Sequence, residues 1–238
     1  VELILVRHAQ PAWVSPDGRN RNDPGLTELG AAQAERVATR LADTEDLPGR
    51  GDVDRLYASP ARRAQETAAP IAAALDLAVT THDWLVELKS PDAWEGAPIE
   101  EIEAAFAAFG RASRDEWWDG HPQGESLRTF HDRVTSGLRT LMADLGIVPA
   151  DEHGLWDLTG PAADETVDRI VVVAHGGTNS AIIAHLLGAE PEPWEWDRFA
   201  MGHASVAVLA TKPMAGHHIW SLRSLGDANH LAVPDRTF

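Results

Sequence analysis

Cysteine is absent from the 238 residues, which excludes disulfide frameworks and thiolate metal sites. Lysine is nearly absent as well. Of the 20 basic residues only Lys89 and Lys212 are lysines, against 37 acidic ones, and the formal net charge is −17. A surface of that sign repels polyanions, so neither nucleic acid nor an anionic membrane is expected as a partner. No apolar stretch approaches the length of a membrane span, and the first strand pattern starts at residue 2 with no basic and apolar leader ahead of it. The expectation is a soluble, cytoplasmic protein. The 11 histidines form no His-Glu-x-x-His pattern and have no acidic cluster beside them at ligand spacing, so no metal and no other cofactor is expected.

What remains is ordinary globular material, 44% hydrophobic and 24% charged. Its length suits one α/β domain over residues 1–238 with insertions. Glu2–Val6, Asp54–Ala58 and Ile170–Ala174 are short apolar runs of the kind found where both faces of a parallel sheet are covered. A helical pattern follows each. Thr27 suits the N-cap of a helix through Gly30, Ala34, Val37 and Leu41. Ser59 suits the cap of the next, with Pro60 at its first position and an end near Leu75. The third follows Gly176 and Gly177 and carries Ile182, Ile183, Leu186 and Leu187. This alternation predicts a three-layer α/β/α fold with a mostly parallel sheet.

Residues 94–145 are helical and rich in tryptophan, which reads as a helical cap inserted over about 88–145. Trp94, Trp117 and Trp118 are read as core residues of this cap in preference to the walls of an apolar pocket. The acidic stretch from about 149 to 168 has no period and reads as an exposed loop. Val206–Ala210 and His218–Leu222 suggest a hairpin turning around Pro213–Gly216, with an irregular tail after Ser224. An exposed sheet edge leaves room for a homodimer.

Open parallel sheets bind ligands beyond the carboxyl ends of their strands. The first strand ends in Arg7-His8, the second leads into Ser59-Pro60-Ala61-Arg62-Arg63, and the third ends in His175-Gly176-Gly177. Taken singly, each member has a plain structural role: a histidine as a bonded loop residue, an arginine as a solvated side chain, Ser59 and Thr27 as caps. Taken together, cations at helix N-termini oppose the macrodipole unless an anion sits there, and the cluster points to an oxyanion site.

LVRHAQP (Leu5–Pro11), LTELGAAQA (Leu26–Ala34), ASPARRAQETA (Ala58–Ala68), VELKSPDAWEG (Val86–Gly96), HPQGES (His121–Ser126) and VVAHGGT (Val172–Thr178) resemble, in order, the motifs of the histidine phosphatase superfamily, in its phosphoglycerate mutase-like branch. The resemblance covers roughly residues 3–210. It implies that His8 is the nucleophile that becomes phosphohistidine, and that Arg7, Arg63 and a protonated His175 bind phosphoryl oxygens beside the close backbone of Gly176. It also implies that Glu87 is the acid that protonates the leaving oxygen and then the base that activates water. Arg63 is preferred to Arg62 because it directly precedes Ala64, as the family's arginine precedes a small residue. Ser90-Pro91-Asp92-Ala93 departs from the family's spacing after the acid, which leaves Asp92 and Glu95 as alternative acids. His203 stands where the family often has Asn and is read as a packing residue, with phosphate contact as the alternative.

The implied activity is metal-independent hydrolysis of a phosphomonoester of a small metabolite. Phosphatase is favoured over a phosphoglycerate-type phosphomutase on two grounds. Ala9-Gln10-Pro11-Ala12-Trp13-Val14 lacks the mutase continuation, and Glu101–Gly124 offers only Arg111 and Arg114 for a second phosphate. A noncatalytic phospholigand-binding protein is the remaining alternative, opposed by the presence of both His8 and Glu87.

Overall fold

The computed structural model describes residues 1–43, 53–151, 154–163 and 169–238. Eight strands form one sheet: β1 (Glu2–Arg7), β2 (Arg55–Ala58), β3 (Val79–Thr81), β4 (Ile147–Pro149), β5 (Trp156–Leu158), β6 (Arg169–Ala174), β7 (Val206–Met214) and β8 (His217–Asp227). Their spatial order is β3-β2-β6-β1-β7-β8-β5-β4. The first four are mutually parallel, and the pairings beyond β1 are antiparallel.

Period-two alternation in β1 shows why helices flank both faces of this mixed sheet. Ile4 and Val6 are fully buried with Val37, Leu41 and Ile71, on the face covered by α1 (Glu28–Ala42) and α2 (Arg62–Leu75). Leu3 and Leu5 are fully buried with Leu138, Met142, Ile182 and Ile183, on the face covered by α5 (Leu127–Asp144) and α7 (Gly176–Leu186). Burying a side chain of this size contributes roughly 1.5–3 kcal/mol, and each central strand does so on both sides. Arg169 and Glu2 add a buried ion pair at 2.6 Å that clips the start of β6 to the start of β1.

Local chemistry fixes the element ends. Thr27 caps α1 by accepting the N–H of Gly30 at 2.9 Å. The β7–β8 hairpin turns at Ala215 and Gly216, whose φ of 51° and 82° are the positive pair that a two-residue type I′ turn demands. Residues 88–145 carry α3 (Ile99–Phe109), α4 (Arg114–Asp119) and the whole of α5. Ser113 and Glu116 form a capping box on α4.

The acidic stretch differs from the expected loop. Trp156 is buried, and β5 pairs with β4 and β8, followed by the short α6 (Gly160–Ala163). An indole in the core offsets an acidic, aperiodic neighbourhood that reads as loop. Residues 152–153 and 164–168 of that stretch lie outside the described residues. β8 runs to Asp227, past the expected end, and the tail beyond it folds back, with the Gln33 side chain donating to the carbonyl of Asp235 at 2.7 Å. Among the described residues no helix is long and apolar enough to cross a membrane.

Candidate active site

The carboxyl ends of β2, β6 and β1 lie side by side. Backbone bonds lock the loops that leave β1 and β2 to β6: the N–H of His8 donates to Ala174 O at 2.8 Å and that of Ser59 to Val173 O at 3.0 Å. These bonds bring His8, Arg63 and His175 together from distant parts of the chain.

His8 is 3% exposed, and its Nδ1 lies 2.8 Å from Ala9 O. A carbonyl only accepts, so Nδ1 carries the proton and Nε2 presents a bare lone pair. Burial first, then the neighbouring Arg63 and Arg7, holds the imidazole well below the usual histidine pKa. His8 is therefore neutral.

His175 is fully buried, with its ring centroid 5.1 Å from that of His8 in an edge-on arrangement. Its Nε2 lies 2.8 Å from Ser59 Oγ. Ser59 Oγ accepts from the Ala61 N–H at 3.3 Å, and His175 is the acceptor within reach of the hydroxyl proton. Nε2 then accepts, and the ring proton sits on Nδ1, which is buried and has no partner among the described residues. Two sequence readings are corrected here. Ser59 is not the cap of α2, which starts at Arg62 after Ala61 as N-cap with no side-chain cap bond; its hydroxyl is taken up by His175. His175 is not protonated, because burial and then Arg63, His8 and Arg7 hold its pKa well below normal.

Two guanidinium groups complete the cluster. Arg7 donates from Nη1 to Met201 O, and its Nη2 lies 3.3 Å from His203 Nε2. Arg63, 5% exposed, stacks 4.6 Å from the centroid of the Trp13 ring and lies 3.4 Å from Asp23 Oδ1. The Nε atoms of both are buried without a partner among the described residues. Gly176 opens α7 beside them, and a Cβ built there would lie 3.6 Å from Arg7 Nε. Arg62, by contrast, is a surface residue paired with Glu66 at 2.6 Å.

Glu87 is held at the first turn of α7, where its Oε2 accepts the Gly177 N–H at 2.8 Å and its Oε1 the N–H of Leu88 at 3.0 Å. Arg133 on α5 secures the segment that carries it. It donates to the carbonyls of Trp84 and Val86, both at 2.9 Å, and grips Glu125 through two nitrogens at 2.9 and 2.7 Å. Gly137 on the same helix makes room for Trp84, whose ring comes within 2.1 Å of where a Cβ would be. Of the alternative acids, Asp92 is an exposed residue on the wall of the same cavity, and Glu95 accepts the Asn22 N–H at 2.7 Å.

Sequence reasoning missed Asp23, which accepts the Arg62 N–H at 2.9 Å and so caps α2 from outside, and it missed Arg133. No local signal marks a cap supplied from 39 residues away. His203 does more than pack: its Nε2 accepts from Arg7, while its Nδ1 lies 2.9 Å from Thr237 Oγ1.

His8, Glu87 and the two arginines open onto a cavity of about 860 Å³ whose far wall includes Trp94, Phe106, Phe109 and Trp117. Trp118 is buried in the core as expected. The core reading is corrected for Trp94, which is only half-buried on the turn at 92–94 and lines this space, and it holds in part for Trp117, which packs against the core while also lining the cavity.

A model of the histidine phosphatase superfamily (branch 1) matches residues 3–147 and 157–223. The chain is 31% identical over 212 residues to phosphoserine phosphatase 1 of Hydrogenobacter thermophilus, covering 88% of this chain and 86% of that protein. It is 30% identical over 223 residues to the glucosyl-3-phosphoglycerate phosphatase of Mycobacterium tuberculosis, covering 93% and 90%. Among solved structures, a mycobacterial glucosyl-3-phosphoglycerate phosphatase with VO3 superposes with a TM-score of 0.66 at 26% identity, covering 95% of this chain and 99% of that one.

Proposed function

From the premise that the chain belongs to the histidine phosphatase superfamily, we propose that His8 is its phosphorylated nucleophile and that Glu87 moves the protons. The protein is a phosphatase of small phosphorylated metabolites, as its relatives are, and a metal-independent hydrolase. One observation carries the assignment of roles. Three buried donors, the Nε–H of Arg7, the Nε–H of Arg63 and the Nδ1–H of His175, lack partners among the described residues around a histidine whose Nε2 is bare. Leaving a buried donor unmade costs roughly 1–3 kcal/mol, and a phosphoryl group placed among them would satisfy all three.

In the first step the Nε2 lone pair of His8 forms a bond to phosphorus as the ester P–O bond breaks, and Glu87, in its protonated form, gives its proton to the departing oxygen. In the second, Glu87 takes a proton from water, the water oxygen bonds to phosphorus, and the His8–phosphorus bond breaks to release inorganic phosphate. Fixed positive charge around the equatorial oxygens supplies most of the barrier lowering, since phosphoryl transfer asks mainly for position and electrostatics. The carbonyl of Ala9 accepts the hydrogen bond from Nδ1–H throughout and stabilises the phosphohistidine as it forms. Residues 88–145 act as the cap that closes over the leaving group. Retention of a phosphoryl group for mutase chemistry has little support: Arg114 is held by Glu192 at 2.8 Å, and neither it nor Arg111 lines the cavity.

The test is phosphate release from an aryl phosphate in EDTA, with a rapid acid-free quench for phosphohistidine. Wild type should release phosphate, His8→Ala should neither release it nor form phosphoenzyme, and Glu87→Gln should form phosphoenzyme that hydrolyses slowly. Undiminished release from His8→Ala would overturn the assignment.

A further inference from the structure

We infer that the alcohol released by this phosphatase is a bulky, ring-bearing, apolar one that carries no carboxylate. The inference rests on the phosphatase reading above and adds the substrate class. Its first support is size and lining. A phosphoryl group at His8 occupies one corner of a cavity of about 860 Å³, near the upper end of the range that holds drug-sized ligands. The lining of the same cavity includes two aromatic pairs. Trp94 meets Phe106 edge-on at 5.3 Å, and Phe109 lies 4.5 Å from Trp117. Such pairs present ring faces and edges to a third ring.

The second support is exposure. Phe106 is 56% exposed and Trp13 37% exposed, and both line this cavity. Exposed aromatics at the mouth of a pocket in a chain of net charge −17 leave apolar area uncovered in a surface otherwise built to stay wet. A ring-bearing leaving group would cover it.

The third is charge. Phosphoserine and phosphoglycerate esters carry a carboxylate in addition to the phosphate and need a second cation. In this cavity Arg7 and Arg63 are assigned to the phosphoryl oxygens. Of the other lysines and arginines among the described residues, Lys89 alone lines it, an exposed residue, while Asp92 and Asp197 line it too, and both are exposed. A leaving group with its own carboxylate would meet as much repulsion as attraction there, whereas an apolar ring meets neither.

The experiment compares propyl phosphate, 3-phenylpropyl phosphate, phosphoserine and 3-phosphoglycerate by kcat/KM. The first two release alcohols of near-equal basicity, so their ratio reports leaving-group binding and not leaving-group chemistry. The expected result is at least about a tenfold preference for 3-phenylpropyl phosphate over the other three, the effect of burying one phenyl ring. Trp94→Ala with Phe106→Ala should narrow the ratio between the phenylpropyl and propyl esters. Faster turnover of phosphoserine or 3-phosphoglycerate, with a loss confined to those two in Lys89→Met, would overturn the inference and leave the phosphatase reading standing. Equal turnover of the propyl and phenylpropyl esters would overturn it without recourse to any variant. A phosphatase failure looks different: an aryl phosphate would then give neither phosphate nor phosphoenzyme, and the inference would fall with it.

Discussion

The two ends of the cavity are built on opposite rules. At the His8 end the protein fixes each polar side chain, His8 by Ala9, His175 by Ser59, Arg7 by Met201 and His203, Glu87 by the start of α7, and leaves three buried donors without a partner among the described residues. At the other end the lining is aromatic and only partly covered, with Trp94 on the turn at 92–94, Phe106 and Phe109 on α3 and Trp117 on α4. A preorganised, charged end tolerates little displacement, because the interactions that lower a phosphoryl-transfer barrier depend on donors already aimed at the charge. An apolar wall is non-directional and can change its occupant with modest loss. Variants at the first end should therefore slow every ester alike, and variants at the second should change the preference among esters.

The largest effect that would sharpen this contrast is expected from Arg63→Met. It removes a buried guanidinium from the phosphoryl site and should lower kcat by roughly 100- to 1,000-fold for small and large esters equally, the loss typical of one oxyanion donor. A loss confined to large esters would mean that Arg63, stacked on Trp13, serves the leaving group.

Ser59→Ala comes next. Without the hydroxyl, nothing in the observed bonding holds Nε2 of His175 as an acceptor, and the ring is free to carry its proton on the wrong nitrogen. About a tenfold fall in kcat/KM is expected, in the range of lost hydrogen bonds near 1.4 kcal/mol, with Ser59→Thr restoring most of it. Equal rates in Ser59→Ala and wild type would show that the tautomer is set by the phosphoryl group itself. Arg133→Met should have a smaller effect still. It frees the carbonyls of Trp84 and Val86 and unpairs Glu125, so the segment bearing Glu87 loses its anchor. Several-fold loss in kcat with little change in KM is expected, because Glu87 acts on the bond being broken and not on ground-state binding. A changed ester preference would break the comparison, since Arg133 would then be shaping the far wall.

How much of each end is readable in the sequence follows from the same difference. Arg7, His8, Arg63 and His175 sit at or just past strand ends or at helix starts, where short apolar runs and turn residues mark the position, and the topology of a parallel sheet brings such positions together. The partners that tune them are not marked. Ser59 reads as a cap because Ser before Pro is a cap pattern, and only the tertiary approach of His175 takes its hydroxyl elsewhere. Arg133 sits in an ordinary helical stretch, 49 residues from the Trp84 carbonyl it holds. The far wall is least legible, since a tryptophan on an amphipathic helix has the same periodicity whether it faces a core or a cavity: Trp118 is buried in the core, while the adjacent Trp117 packs on that core and lines the cavity as well.

The smallest expected effect bears on stability more than on rate, and concerns His203. Its Nε2 accepts from Arg7 and its Nδ1–H donates to Thr237, so the ring is useful only while neutral. Burial and then the Arg7 charge push its pKa down to about 3, against about 6.5 in an unfolded chain. Between those values the unfolded chain binds a proton at this residue and the folded protein does not, so stability rises with pH across that window. Stability is fully present above about pH 6.5 and is lost on acidification, at up to about 1.4 kcal/mol per pH unit for one such group. His230, pushed to about 4 by burial and Arg40, and the buried His8 and His175 act in the same direction. An amide offers the same pair of functions without titrating: its oxygen can accept from Arg7 and its N–H₂ can donate to Thr237. His203→Asn should therefore keep activity at pH 7 within a few-fold, while flattening the fall of the urea midpoint between pH 7 and pH 5. His203→Ala should flatten it equally but raise KM, because Arg7 then keeps only the Met201 carbonyl to hold it. A urea midpoint with the same pH dependence in wild type and His203→Asn would mean that the ring titrates normally in the folded protein and that Arg7 is held by Met201 alone.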